Sequence, residues 1–237
     1  MRLLVTRPGE DAAALVALLK ARGHQPVAAP VMEIRPIPGA AVDLTGIQAL
    51  LVTSRNGVRA LAAATGARIL PVLAVGAGSA AAARAAGFAE VASAEGDVAA
   101  LARLVAQRLK PEAGPLLQAC GNVQAGDLAG LLAAGGYDLR RAVLYEARPL
   151  ARLPAEAEAF LRDGAPGGVL FYSPRTAELF GRLAAGFALS HLTAYGLSEA
   201  VAEMAGRLGF GRIAVAARPA QEALLSLIPL EPKPDPS

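Results

Sequence analysis

The sequence predicts an α/β protein in which helices cover parallel β-sheets, and three observations lead to this fold class. Hydrophobic residues make up 54% of the 237 residues and aromatic residues only 4%, so Ala, Leu and Val must build most of the core. Short apolar runs are each followed by a turn and a helical pattern, which is the rhythm of βα units. Segments of the chain also repeat, which indicates two homologous lobes.

The first βα unit lies at the start of the sequence. Residues 3–6 are apolar and predict a strand, and residues 7–9, which contain Pro and Gly, turn the chain. Residues 12–22 then predict a helix, because leucines recur on one helical face and Gly23 follows as a stop signal.

Six further strands are predicted along the chain. Each is a short apolar run that a helix can follow, and the Ala-rich helices are predicted from helix propensity more than from periodicity. The predicted strands are residues 49–53, 72–75, 116–119, 169–172, 192–195 and 213–216.

Three pairs of segments repeat in the same order. Residues 3–33 align with residues 116–146 without a gap, and two serine motifs recur, LLVTSRNGV with VLFYSPRTA and VGAGSA with YGLSEA. Prolines follow Glu33 and Glu146 and mark two connections between the lobes. The residues alone leave two arrangements open. In the first, the two lobes follow one another along the chain, with the boundary near residues 111–115. In the second, the chain passes from one lobe to the other after Glu33 and returns after Glu146.

Charge and composition exclude several classes of function. The net charge is only +3, with the arginines scattered along the chain, so we expect no nucleic-acid partner. Among 23 basic residues only three are lysines, and arginine binds carboxylates bidentately, so an anionic small molecule suits this chain. A single cysteine, Cys120, and two isolated histidines, His24 and His191, predict neither a disulfide nor a metal site.

Motifs of membrane proteins, nucleotide enzymes and hydrolases are also lacking. Apolar runs end well before the ~18 residues that a membrane span needs, and residues 1–11 lack the core of a signal peptide. We therefore expect a cytoplasmic protein without a membrane partner. Neither a P-loop nor a GxSxG nucleophile elbow occurs, so nucleotide-dependent and serine-hydrolase chemistry are not expected.

Polar residues follow the predicted strands, where open α/β sheets bind their ligands. Hydroxyls, amides, arginines and free N–H groups at helix N-termini in these loops would suit carboxylates. Each Ser or Asn could instead only cap its helix, and both roles are compatible. The candidate binding residues are Arg7, Ser54, Asn56, Ser79, Gly121, Asn122, Ser173, Arg175 and Ser198.

Tyr145 is the candidate catalytic residue. It stands beside Glu146 in one of the two predicted connections between the lobes. A phenol facing a cleft there could donate a proton or a hydrogen bond to a leaving oxygen. The alternative is an aromatic residue that packs at a hinge, and the residues alone leave both roles open.

Motifs along nearly the whole chain resemble the uroporphyrinogen-III synthase family. They are VTRP from Val5, the helix end at Leu19 to Gly23, VTSRNGV from Val52, VGAGSA, VLYE from Val143, FYSPR from Phe171 and LSEAVA from Leu197. Their order and spacing carry the resemblance. The sequence departs from the usual family pattern at Ser79, where Thr is common, and after Gly121, where an Arg is common.

The resemblance implies two flavodoxin-like, doubly wound parallel-sheet lobes joined by a two-stranded linker. It selects the crossed arrangement, with residues 1–35 and 149–237 in one lobe and residues 36–148 in the other. Residues 229–237 are Pro-rich, which predicts a disordered tail.

The resemblance also implies a reaction. The family closes hydroxymethylbilane, a linear tetrapyrrole, into a ring with loss of water and inversion of the last pyrrole, and it uses neither a metal nor an organic cofactor. It places Tyr145 beside the leaving hydroxyl and the serines beside the substrate's carboxylates. We expect a monomer with transient contact to the preceding pathway enzyme. The rival hypothesis is a bilobal module that binds a carboxylated metabolite without catalysis.

Overall fold

The computed structural model describes residues 1–124 and 126–229 of the chain, apart from the side chain of Glu10. The chain divides into two compact units. Unit 1 comprises Met1–Glu33 together with the chain from Arg148 onward, and unit 2 comprises Ile34–Ala147. The disordered tail predicted at residues 229–237 lies, apart from Pro229, outside the described residues.

Strands and helices alternate through most of the described chain. The strands are β1 (Arg2–Val5), β2 (Gln25–Ala28), β3 (Met32–Pro36), β4 (Ala49–Val52), β5 (Val72–Ala74), β6 (Val91–Ser93), β7 (Leu116–Gly121), β8 (Leu139–Pro149), β9 (Gly167–Phe171), β10 (Leu192–Gly196) and β11 (Arg212–Val215). The helices are α1 (Gly9–Ala21), α2 (Arg55–Ala64), α3 (Ala77–Ala85), α4 (Val98–Arg108), α5 (Leu128–Ala134), α6 (Ala155–Asp163), α7 (Pro174–Leu183), α8 (Glu199–Gly206) and α9 (Gln221–Leu225), with a 3-10 turn at Pro111–Ala113.

Unit 1 contains a five-stranded sheet in the order β11-β10-β9-β1-β2, and each neighbouring pair runs parallel. The first strand lies inside this sheet, because Leu3 pairs with Pro26 on one side and with Gly168 on the other. Both ends of the described chain therefore contribute strands to the same sheet.

Unit 2 is built on a six-stranded sheet in the order β3-β8-β7-β4-β5-β6. The pairs from β8 to β6 are parallel. The edge strand β3 runs against β8 in the opposite sense, since Leu150 donates to the Val31 carbonyl and Ile37 donates to the Leu144 carbonyl, both at 3.0 Å. The strands β3 and β8 carry the chain from one unit to the other, so the predicted two-stranded linker and α/β fold class are confirmed.

The predicted strands are all present, with ends that differ by one or two residues. The predicted helix at 12–22 starts earlier, at Gly9, because Pro8 acts as its N-cap residue with extended backbone angles. The internal repeat also appears in the pairing. Leu116 pairs with Leu139 as Leu3 pairs with Pro26, which is the same shift along the chain that aligned the two sequences.

The hydrophobic cores are built mostly of Ala, Leu and Val, as the composition predicts. The central strand β4 is buried on both faces, with Leu50 and Val52 in one apolar cluster and Ala49 and Leu51 in the other. This is the pattern of a parallel strand covered by helices on both sides. Among the described residues, no helix has the length and apolar character that crossing a bilayer requires.

Candidate active site

The candidate active site lies in unit 2, at the edge of the sheet where β4 and β7 end and Tyr145 of β8 lies opposite the last residue of β7. A cavity of about 450 Å³ opens there. Its walls include Thr53 and Ser54 after β4, Cys120 and Gly121 at the end of β7, and Tyr145 in β8. Parallel strands bring their carboxyl ends together, which explains why residues distant in sequence line one cavity.

A hydrogen bond joins Tyr145 to Ser54. The two hydroxyl oxygens lie 3.0 Å apart, and either hydroxyl is able to donate. Ser54 is also the N-cap residue of α2, where its Oγ accepts the N–H of Gly57 at 3.0 Å. Tyr145 is only 8% exposed, so its phenol is held at the cavity wall and does not extend into solvent. The predicted catalytic residue and a predicted binding residue therefore form a pair.

Gly121 provides the space for the ring of Tyr145. A Cβ atom at this position would lie 2.5 Å from Cε2 of the ring, closer than any real side chain tolerates. The pairing of β7 with β8 shifts between Cys120 and Gly121, which places Gly121 opposite Tyr145. A bulge of this kind redirects a side chain at a strand end.

Asn122 binds the backbone of β8 on both sides of Glu146. Its N–H donates to the carbonyl of Tyr145 at 3.1 Å, and its Oδ1 accepts the N–H of Ala147 at 2.9 Å. Asn122 stays a predicted substrate-binding residue, and its Oδ1 is hydrogen-bonded to the strand that carries Tyr145.

The cavity is also lined by residues that were not selected from the sequence. Gln124 donates from Nε2 to Sγ of Cys120 at 3.5 Å, and burial raises the pKa of this thiol. Asp97 caps α4 and accepts the N–H of Ala100 at 2.9 Å, and this hydrogen bond lowers the pKa of its carboxyl. The Asp before an apolar helical run was a readable cap signal, whereas nothing in the sequence singled out Gln124.

Two further candidates lie on the neighbouring helices of unit 2. Asn56, in the first turn of α2, accepts a hydrogen bond from Arg59 at 2.8 Å. Ser79 is buried in the first turn of α3. The guanidinium of Arg55 lies against this turn, because Nη2 is 3.0 Å from the point where a Cβ of Gly78 would sit.

Unit 1 holds the other four candidates, at the corresponding edge of its own sheet. Arg7 follows β1, and its Nη2 forms an ion pair with Oδ2 of Asp11 at 2.6 Å. The same guanidinium lies 4.4 Å from the centre of the Tyr172 ring and donates to Gln221 at 3.3 Å. Arg7 is therefore largely engaged within the protein.

The remaining three candidates of unit 1 lie at the starts of α7 and α8. Ser173 caps α7, and its Oγ accepts the N–H of Thr176 at 3.2 Å and lies 2.7 Å from the Thr176 hydroxyl. Arg175 follows in the first turn and is half-buried. Ser198 occupies the N-cap position of α8, although its side chain makes no capping hydrogen bond to the described residues.

The repeated segments VGAGSA and YGLSEA lie at the starts of the equivalent helices α3 and α8. The N-cap residues of these helices are Gly76 and Ser198. Ser79 lies three residues inside α3 and has no direct counterpart in Ser198. Strand pairing fixes this equivalence, and the short GAGS and GLS motifs do not reveal it.

A comparison with known protein families shows the family of this chain. The model of the family described as uroporphyrinogen-III synthase HemD matches residues 13–226. The chain belongs to this family. The resemblance stated from the sequence motifs is thereby confirmed.

Solved structures of uroporphyrinogen-III synthases share this fold. The enzyme from Helicobacter pylori 26695 is 20% identical, with a TM-score of 0.65 over 96% of this chain and 98% of that one. A mutant of the enzyme from Thermus thermophilus, an extremely thermophilic bacterium, is 18% identical, with a TM-score of 0.56 over 96% of this chain and 97% of that one. No curated protein sequence gives a significant match.

The cavity near Tyr145 is lined by groups that are able to donate or accept hydrogen bonds, among them the hydroxyls of Thr53 and Ser54. Within the described residues, no cluster of three or more His, Cys, Asp or Glu side chains is arranged to hold a metal ion.

Proposed function

We propose that this chain is a hydro-lyase that closes hydroxymethylbilane into uroporphyrinogen III, the activity of its family. The observation that carries the proposal is the family match over residues 13–226. The hydrogen-bonded phenol of Tyr145 at the wall of a cavity supports it, because a leaving hydroxyl needs a proton donor.

The reaction balances as one molecule of substrate giving one ring and one water. Tyr145 donates its proton to the terminal hydroxyl, which leaves as water, so that an azafulvenium cation and a tyrosinate remain. The substituted carbon of the last pyrrole then attacks, which gives a spiro intermediate. Reopening and reclosure invert that ring, and the tyrosinate takes back the proton that the final pyrrole releases. The phenol is thus regenerated at the end of each turnover.

Recognition of the substrate's acetate and propionate groups is assigned to the strand ends. In unit 2 the candidates are Asn56, Ser79 and the backbone at Gly121 and Asn122. In unit 1 the candidates are Arg7, Ser173, Arg175 and Ser198. The N-termini of α2, α3, α7 and α8 support this assignment, because their N–H groups and dipoles favour carboxylates.

The deciding experiment is incubation of the protein with hydroxymethylbilane generated enzymatically, followed by chromatographic separation of the ring isomers. We expect the inverted, type III isomer, formed faster than in a sample without protein. Formation of only the uninverted, type I isomer at the spontaneous rate would show that the chain does not catalyse ring closure, even if it binds the substrate.

We further propose that the protein acts as a monomer in the cytoplasm and receives its labile substrate through transient contact with the preceding enzyme. The cytoplasmic location is supported by the single cysteine, which is free and buried and forms no disulfide. Light scattering across a concentration series tests the monomer, and a faster coupled than uncoupled reaction tests the contact.

A further inference from the structure

We propose that Ser54 positions Tyr145 by donating a hydrogen bond to its phenol oxygen, and that this serine does not bind the substrate. This inference rests on the proposed function, because it assigns a role within the same reaction. It revises the expectation drawn from the sequence, in which Ser54 was a ligand of a substrate carboxylate.

The N-cap role of Ser54 leaves its proton available. A serine hydroxyl has one donor and two acceptor positions. The Gly57 N–H already occupies an acceptor position at 3.0 Å, and Tyr145 Oη lies 3.0 Å away. If Ser54 donates to Tyr145, the phenol keeps its own proton for donation at the cavity that it lines. In the chain from the Gly57 N–H through Ser54 to Tyr145, each group then donates to the next oxygen.

The same chain stabilises the oxygen after the proton has moved. A tyrosinate at this position accepts the Ser54 hydrogen bond, and hydrogen bonds to ionised groups are stronger than neutral ones. Ser54 also lies at the N-terminus of α2, where the helix dipole favours negative charge. Both effects become stronger when charge develops on Tyr145, so they assist the departure of the hydroxyl more than substrate binding.

Gly57 keeps Ser54 available for the tyrosine. A Cβ at this position would lie 2.7 Å from the carbonyl oxygen of Ala119, so only glycine fits without movement. In unit 1 the equivalent residue is Thr176, whose own hydroxyl lies 2.7 Å from the Ser173 hydroxyl. Gly57 has no hydroxyl to compete for Ser54, and the Ser54 hydroxyl is hydrogen-bonded to Tyr145.

The test uses Ser54→Gly, because glycine is tolerated at N-cap positions nearly as well as serine. We expect kcat for type III ring formation to fall about tenfold, with KM changed less than twofold. Adding Ser54→Gly to Tyr145→Phe should cause no further fall in kcat, since the serine acts through the phenol oxygen. Ser54→Thr retains the hydroxyl and should restore most of the activity.

Asp127→Gly is the matched control. Asp127 caps α5 through the Gly130 N–H at 2.9 Å and lies outside the cavity wall. The Asp127→Gly variant should lose little helix stability, as expected for glycine at an N-cap position, and should keep the wild-type kcat. Additive effects of Ser54→Gly and Tyr145→Phe on kcat, or a rise in KM as the main effect of Ser54→Gly, would show that Ser54 binds substrate directly and would overturn the inference.

A second measurement separates this inference from the proposed function. The free energy of urea unfolding is measured for the wild type, Ser54→Gly, Tyr145→Phe and the double variant. Non-additive values support the hydrogen bond whether or not ring closure is observed, and additive values contradict it. An inactive wild-type protein would instead overturn the proposed function alone.

Discussion

Units 1 and 2 share one topology but carry different chemistry at equivalent strand ends. Five parallel strands follow the same spatial order in both, β11-β10-β9-β1-β2 in unit 1 and β6-β5-β4-β7-β8 in unit 2. At the end of β7, Gly121 makes room for the Tyr145 ring. After β1, the equivalent loop presents Arg7 paired with Asp11. The shared topology places a loop at the same strand end in both units, and a few side chains decide the chemistry of that loop.

The equivalent serines show the same contrast most directly. Ser54 and Ser173 both cap a helix from an extended backbone, with φ/ψ of −153°/157° and −155°/153°. One hydroxyl contacts Tyr145 and the other contacts Thr176. A repeated cap therefore leads to a different hydrogen-bond partner because the third residue of the helix is Gly in one unit and Thr in the other.

Among the substitutions that test this comparison, removal of the Tyr145 hydroxyl is expected to lower kcat the most. Tyr145→Phe should lower kcat by roughly ten- to a thousandfold, at the lower range for a positioned general acid. The type III isomer should remain the main product, because inversion depends on how the last pyrrole is oriented. Single-turnover assays with isomer separation measure both quantities.

Tyr137→Phe is the control for this variant. It removes a phenol in the same unit that donates to the Leu109 carbonyl at 2.8 Å, away from the cavity, and should leave kcat unchanged. Normal turnover in Tyr145→Phe would reduce Tyr145 to a packing role. A change to the type I isomer would mean that the phenol steers the spiro step.

Displacement of the ring should have the next largest effect. Gly121→Ala places a methyl group 2.5 Å from the ring of Tyr145, so the ring must move away from its position beside Ser54. We expect a roughly tenfold to hundredfold fall in kcat, since misplacement of a catalytic group by about 1 Å costs this much. Gly66→Ala, which meets no atom within 4 Å, is the control. Equal activity in both variants would contradict the packing argument.

The first turns of α2 and α7 should also differ in how much stability a substitution costs. Gly57→Ala brings a methyl group 2.7 Å from the backbone oxygen of Ala119, and overpacking of this kind costs about 1–3 kcal/mol. Thr176→Val retains a γ-methyl group and loses the hydroxyl contact to Ser173, which is worth about 1 kcal/mol. Urea unfolding measures both variants. A larger loss of stability in Thr176→Val would reverse the comparison.

The smallest effect concerns the pH dependence of stability. Burial raises the pKa of Cys120 in unit 2 and of Tyr195 in unit 1, so the folded state retains protons that the unfolded state releases. The free energy of unfolding should therefore fall as pH rises above about 8.5 for the thiol and about 10 for the phenol. Cys120→Ala should flatten the first decline and Tyr195→Phe the second, measured by urea unfolding from about pH 7 to about pH 10.5. Unchanged slopes would contradict the burial argument.

Local patterns in the sequence were sufficient to predict the strands, the repeat and most of the candidate residues. Apolar runs, turn residues and N-cap serines depend on neighbours a few positions away, so the sequence alone determined them. Ser54 and Tyr145 were both selected in this way, from a strand end and from a polar aromatic residue in a predicted connection. Their hydrogen bond was not predicted, because 91 positions separate them and no local pattern records a contact over that distance.

Tertiary structure decided which of these residues act together. The pairing of β7 with β8, including the shift at Cys120 and Gly121, brings Tyr145 over Gly121 and beside Ser54. The same pairing directs Asn122 to the backbone of β8. The physical reason is that strand register and side-chain volume are properties of the packed sheet. A glycine is required at Gly57 and Gly121 only because Ala119 and Tyr145 lie across from them.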